Sequence, residues 1–397
     1  MAAALPVPVN PSVLTWARTE SGFPADRVAQ RLQVKIDRIS EWEEGLRVPT
    51  MRQIEALARL FHRPLSLFFG DAVPQVPPLA AEYRRLPGVT IGQESPELRL
   101  AIRQMSSRRE TMIELLKELG EEPPAFALFA HLSEAPSAIA DRLRAALKIE
   151  LSVQLGWPND WRAWAEWRGA AESIGVLAFQ FPRVTLEEAR GLSLLRFPLP
   201  VAGVNSKEQP ESRSFTLLHE VVHIMLAAGS EEVPALRETR VGDAWSAVER
   251  FAEEVASRVL VPEDALQTHA ERSAGAHGEW SIGEVRGLAR KFHISPLAMA
   301  TRLRASGYLD WEGYNDWKAA WTAYVRTLPP RKGGPVHPIA QALGRAGRPY
   351  TQVVLDALAS NRITAVNASR YLGLKFEHFE KLRESLSARP GSGGDDE

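Results

Sequence analysis

The chain has 397 residues, 45% of them hydrophobic, with 48 Lys and Arg against 49 Asp and Glu and no cysteine. That length and apolar content support two or three domains with sizeable cores, while the balanced charge excludes a global field attracting nucleic acid or membrane. Disulfides and thiolate metal sites are excluded, and with no basic-headed leader and no apolar run of about eighteen residues a cytoplasmic protein without membrane contact is expected.

Residues 1–9 are small and apolar and read as a loose arm. Four short helical phrases follow, around Ser12–Arg18, Asp26–Leu32, Ile36–Glu43 and Met51–Phe61, punctuated by Gly22, Pro24, Gly45 and Pro49. The run Ile39-Ser40-Glu41-Trp42-Glu43-Glu44-Gly45-Leu46-Arg47-Val48-Pro49-Thr50, with Ala29 and Leu57-Ala58, resembles the Xre/Cro helix-turn-helix domain over about 60 residues. In such folds the third helix enters the major groove, which would place Lys35, Arg38 and Ser40 at the bases. Yet residues 26–63 carry eight basic and six acidic side chains, a small surplus for an interaction dominated by phosphates. DNA binding and docking of a protein, a repressor of the same fold or a second copy of this chain, stand as alternatives.

Pro74, Pro77 and Pro78 stiffen a linker. Beyond it, residues 97–119 form a long charged helix whose Leu98, Ile102, Met105, Met112 and Leu116 make an interrupted apolar stripe, the methionines as core filling. Ile139, Leu143 and Leu147 mark another amphipathic helix, and Asn159 and Asp160 cap a third in which Trp161, Trp164 and Trp167 recur at helical spacing. That row is a core stripe or, less simply, a wall for a peptide. Strand character at 174–181, 192–197 and 201–204 predicts a small antiparallel sheet, the last strand able to pair with an extended substrate if it lies at the edge. Asn205 and Arg213 follow it and are candidates for positioning substrate.

The apolar helical run 215–226 contains His219-Glu220-Val221-Val222-His223. Residues four apart stand one above the other on a helix, so the two imidazoles can converge on one cation. Glu220, about a hundred degrees round, lies beside the cation, where a carboxylate can take a proton from water. A catalytic metal needs a third protein ligand. Glu249 is the candidate, because it shares the apolar face of a second helix with Ala252, Val255, Ala256 and Val259, and a carboxylate there is costly unless paired or metal-bound. Glu253, one turn on, is placed to accept the other ring N–H of a ligand His.

These residues, together with Arg213-Ser214-Phe215, Leu260-Val261-Pro262, Gly191-Leu192-Ser193-Leu194 and Pro200-Val201-Ala202-Gly203-Val204-Asn205, resemble the ImmA/IrrE metallopeptidases. The resemblance implies a zincin-like endopeptidase whose known members cut a helix-turn-helix repressor. Carried onto this chain, it implies His219, His223 and Glu249 as metal ligands, Glu220 as general base, and zinc, with manganese as the alternative. At Glu253 many relatives carry Asn.

Val285–Leu303 has a helix-turn-helix cadence that in such proteins packs rather than binds DNA, and His269, His277 and His293 lack partners at ligand spacing. The expected organisation is a helix-turn-helix domain (1–72), a linker and connecting helix (73–134), a peptidase domain (135–265), a helical extension (266–330), a small helical unit (331–386) and a disordered tail (387–397). The fold class is mainly α with a small antiparallel sheet (α+β). The function expected is cleavage of a repressor or antitoxin to switch on a stress or mobile-element response. The alternative is a DNA-binding regulator whose peptidase-like domain senses metal or ligand without cutting.

Overall fold

The structure, a computed structural model, describes residues 7–84, 86–273, 280–329, 334 and 336–387. His277, residues 388–397 of the tail expected from Ser387, most of residues 331–335 and the start of the N-terminal arm lie outside the described residues; Ser387 itself ends the last helix.

Four helices build the N-terminal module: α1 (Pro11–Glu20), α2 (Ala25–Leu32), α3 (Ile36–Glu43) and α4 (Met51–Phe61), the last opened by a reciprocal Thr50–Gln53 cap. Its core is its own, with Leu14, Val28, Ile39, Trp42, Ile54 and Phe61 buried together. Helix α5 (Pro96–Leu119) begins at the Ser95 cap and stops at Gly120, whose φ of 78° ends the helix in the left-handed conformation. The module sits on the first turns of α5, where Arg27 pairs with Glu97 and Arg103 donates to the Phe61 carbonyl.

The central body follows as α6 (Pro136–Leu147), α7 (Leu151–Leu155), α8 (Asp160–Ser173), β1 (Leu177–Phe181), β2 (Gly191–Leu194), β3 (Val201–Asn205), α9 (Pro210–Ala228) and α10 (Gly242–Leu260). Then come α11 (Glu263–Ser273), α12 (Ile282–Phe292), α13 (Pro296–Ala305) and α14 (Trp311–Thr327). Helix α9 is apolar on nearly every side and is accordingly a core helix, with Leu217, Leu218, Val221, Val222 and Ile224 fully buried. Helices α8 and α10 pack against it, and α6, α12 and α13 extend the same apolar cluster. The cadence over 285–303 forms a packed pair, with Arg302 buried against Glu263 and the Val261 carbonyl.

The sheet departs from the expected antiparallel one. Its order is β1-β3-β2; β2 and β3 are antiparallel, but β1 and β3 are parallel. The chain crosses from β1 to the far edge and turns back into the middle, and two reversals restore the original direction. Strand β3, expected as a candidate edge, is therefore central, and β1 and β2 are the two edges. All three strands are buried on both faces. One face meets α9; the other meets α5 and the C-terminal unit of α15 (Pro338–Ala346), α16 (Arg348–Ala359), α17 (Ala365–Leu372) and α18 (Phe379–Ser387). Tyr350 stacks edge-on against Phe179, so this unit shares its core with the sheet. No helix among the described residues is long and apolar enough to cross a membrane.

Candidate metal centre

Helix α9 presents His219 and His223 one turn apart, and α10 crosses it so that Glu249 reaches both. The two Nε2 atoms are 3.0 Å apart; Glu249 Oε2 lies 3.4 Å from His219 Nε2 and its Oε1 lies 3.7 Å from His223 Nε2. A tetrahedral cation with ligand bonds of about 2.0–2.1 Å has ligand-to-ligand edges of roughly 3.3–3.4 Å, so this triangle has the right size. Two imidazoles and one carboxylate are also the donor set of a site with one position left open. Among the described residues these three form the one group of ligating side chains gathered so closely.

The ring of His223 is oriented from behind. Its Nδ1–H donates to Glu232 Oε2 at 2.9 Å, which leaves the Nε2 lone pair facing the triangle. Glu232, not Glu253, takes this role: Glu253 lies a turn beyond Glu249 on the wall of the cleft. Sequence reasoning missed Glu232 because it stands in the irregular 229–234 segment after α9, where no periodicity marks it.

It also missed Arg84, which is 2% exposed. Its guanidinium forks onto Glu220, Nε to Oε2 at 3.0 Å and Nη2 to Oε1 at 3.1 Å, while Nη1 donates to Glu249 Oε1 at 2.8 Å. Ser193 on β2 adds its hydroxyl to Glu220 Oε2. Burial alone would push the Glu220 carboxyl up, but Arg84 outweighs it and holds the group below the usual carboxylate range. Glu249 behaves alike, well below that range despite burial, through Arg84 and the two histidines. Burial and the neighbouring Arg84 lower His223, which favours the neutral ring a ligand needs; for His219 the bond and charge of Glu249 outweigh burial and raise it.

Glycine at 191 lets α9 press onto β2. A Cβ there would come within 2.6 Å of Thr216 Cγ2 and 2.7 Å of Glu220 Oε1. Above the centre opens a cleft of about 1170 Å³, bounded by the 186–191 loop, by Phe215 on α9, and by Arg290, Tyr314 and Trp321 of α12 and α14.

The other expected site residues lie elsewhere. Asn205 is fully buried and staples its own loop, donating to the Val184 and Ala189 carbonyls at 3.2 and 2.8 Å, which leaves it no access to substrate. Arg213 folds back on the turn before α9, donating to the Glu208 and Ser206 carbonyls, with its guanidinium over the Trp161 ring. Of the three tryptophans, Trp164 and Trp167 are core and Trp161 is 59% exposed. Lys35, just before α3, and Ser40 on it are exposed, whereas Arg38 pairs with Glu41, as does Arg47.

A helix pair that converges two imidazoles and an acid, with a further carboxylate alongside, is the architecture of a metallopeptidase-like domain, here carried behind a helix-turn-helix module. Over residues 178–304 the chain is similar to the IrrE N-terminal-like domain, the peptidase M78 family, and over residues 12–67 to a helix-turn-helix domain. No curated protein and no solved structure matches it.

Proposed function

We propose that the protein is a metal-dependent endopeptidase that cuts a protein substrate, a helix-turn-helix repressor or antitoxin, with zinc as its cation and manganese as the alternative. The observation that carries this reading is the His219–His223–Glu249 triangle, matched in size and donor type to a catalytic zinc site. When bound, the cation supplies a Lewis acid that polarises a carbonyl and acidifies water. Glu220, on the turn of α9 between its histidines, accepts the proton of the attacking water and returns it to the leaving amine nitrogen. Glu232 keeps His223 in the ligating tautomer, and the cleft above β2 and α9 receives the chain to be cut.

The N-terminal module supports a protein partner. Glu41 neutralises Arg38 and Arg47, and beside them Ile36, Leu46 and Val48 are exposed, a surface suited to protein more than to phosphate. Incubation of the protein, with and without chelator, with helix-turn-helix proteins encoded beside its gene should yield fragments by mass spectrometry only when metal is present. Glu220→Gln should keep fold and metal and lose cleavage by about 10²–10⁴-fold; undiminished cleavage by that variant removes Glu220 from the mechanism. The second reading, a metal or ligand sensor that does not cut, is favoured by the hold of Arg84 on both carboxylates. It predicts metal binding without fragments from any partner.

A further inference from the structure

The segment from Leu79 to Arg84 enters the candidate centre with both its backbone and its charge. Tyr83 forms an antiparallel bridge to Leu194 on the outer edge of β2, and Arg84 forms another to Pro234. The Arg84 amide donates to the Ser193 carbonyl at 3.1 Å, and the Ala235 amide donates to the Tyr83 carbonyl at 2.7 Å. These are the bonds an extended substrate would make on adding to that edge. The Arg84 side chain then engages both oxygens of Glu220 and one oxygen of Glu249. A base needs a lone pair directed at the proton it takes, and here each oxygen already accepts from a fixed cation. That buried positive charge also opposes a divalent cation at the neighbouring triangle.

The same segment is tied, bond by bond, to the helix-turn-helix module. The Tyr83 hydroxyl donates to Glu94 Oε1 at 2.5 Å, and Arg99 Nη2 donates to Glu94 Oε2 at 2.8 Å. Arg99 Nη1 reaches the Thr19 and Glu20 carbonyls at the end of α1, at 3.2 and 3.3 Å. Tyr83, Glu94 and Arg99 are all buried, and Gly22 leaves room for the Arg99 stem, which a Cβ there would meet at 2.7 Å.

We propose that this segment is an autoinhibitory latch. It lies where an extended substrate would lie, holds Glu220 and Glu249 through Arg84, and opens when a protein engaging the helix-turn-helix module shifts α1 and pulls on Arg99. The latch rests on the metallopeptidase reading.

Cobalt(II) alone, followed by visible absorption with full-length protein, separates the two. Wild type should bind it and His223→Ala should not; equal binding by both means the triangle is no metal site and overturns both readings. Arg84→Met removes the cation and keeps the stem, and should bind cobalt at least roughly tenfold more tightly, since a like charge has been taken from the site. Unchanged or weaker binding in a folded Arg84→Met protein, beside normal loss in His223→Ala, sinks the latch and leaves the metal site standing. Arg99→Met, far from the centre, should move cobalt affinity in the same direction and speed hydrogen exchange across residues 79–94. Exchange and affinity both at wild-type levels in that variant overturn the tie to the module, whether or not Arg84→Met folds.

Discussion

His223 is held between two acids with different tasks. Glu249 faces its Nε2 and Glu232 its Nδ1, so the ring can present only one lone pair to a cation. Glu232→Gln keeps the shape and removes the charge that raises the basicity of the ring. Metal affinity should fall about 10- to 100-fold, measured by competition with a chromophoric chelator, with the melting temperature close to wild type. An affinity equal to wild type would make Glu232 a packing residue. Removing Glu249 should be harsher: Glu249→Ala should leave less than stoichiometric metal by elemental analysis, and full occupancy would transfer the third position to another acid. The paired histidines and Glu249 were legible because helical periodicity determines where they point. Arg84 and Glu232 were not, since both come from irregular chain: Arg84 follows Glu82-Tyr83 in what reads as a charged linker, and Glu232 closes a Ser-Glu-Glu turn that reads as solvent-facing. Their roles follow from tertiary closure, which leaves no local trace.

The contact of β2 with α9 depends on a missing side chain. With Thr216 and Glu220 packed over Gly191, a methyl group must move one of them, and Glu220 is the more damaging to move. Gly191→Ala should cost about 1–3 kcal/mol in stability from overpacking, read by chemical denaturation. If Glu220 is the proton acceptor, cleavage should drop by about 10²-fold from the displaced carboxylate. A variant that melts lower yet cleaves normally would mean that Thr216 yields instead. At this scale the elements were readable and their pairing was not. The strands at 177–181, 191–194 and 201–205 were anticipated within a few residues, as were α5, α9 and α10. That β1 runs parallel to β3 was hidden because short, fully buried strands carry no alternation of polar and apolar residues to reveal a partner or an edge.

The whole molecule is arranged along α5. Arg99 and Arg103 on its first turns receive the helix-turn-helix module, Met105 lies against Gly203 of the central strand, and Arg109 donates to the Pro198 and Leu199 carbonyls. The C-terminal unit closes the remaining side, with Met112, Leu116 and Phe179 in the same apolar cluster as Tyr350, Val354 and Leu382. Ending the chain before Pro338 should uncover that cluster at about 1.5–3 kcal/mol for each large side chain, giving aggregation in gel filtration and a lower melting temperature. A monomeric, unshifted truncation would mark the unit as an appendage.

Because a single helix carries both attachments, their angular phase is set by its residue count. One residue inserted between Arg103 and Arg109 would swing the module by about 100° and lift it about 1.5 Å relative to the sheet, whereas seven would complete nearly two turns and restore the heading at greater distance. Spacing along this axle therefore sets how the head is presented to the sheet beneath it.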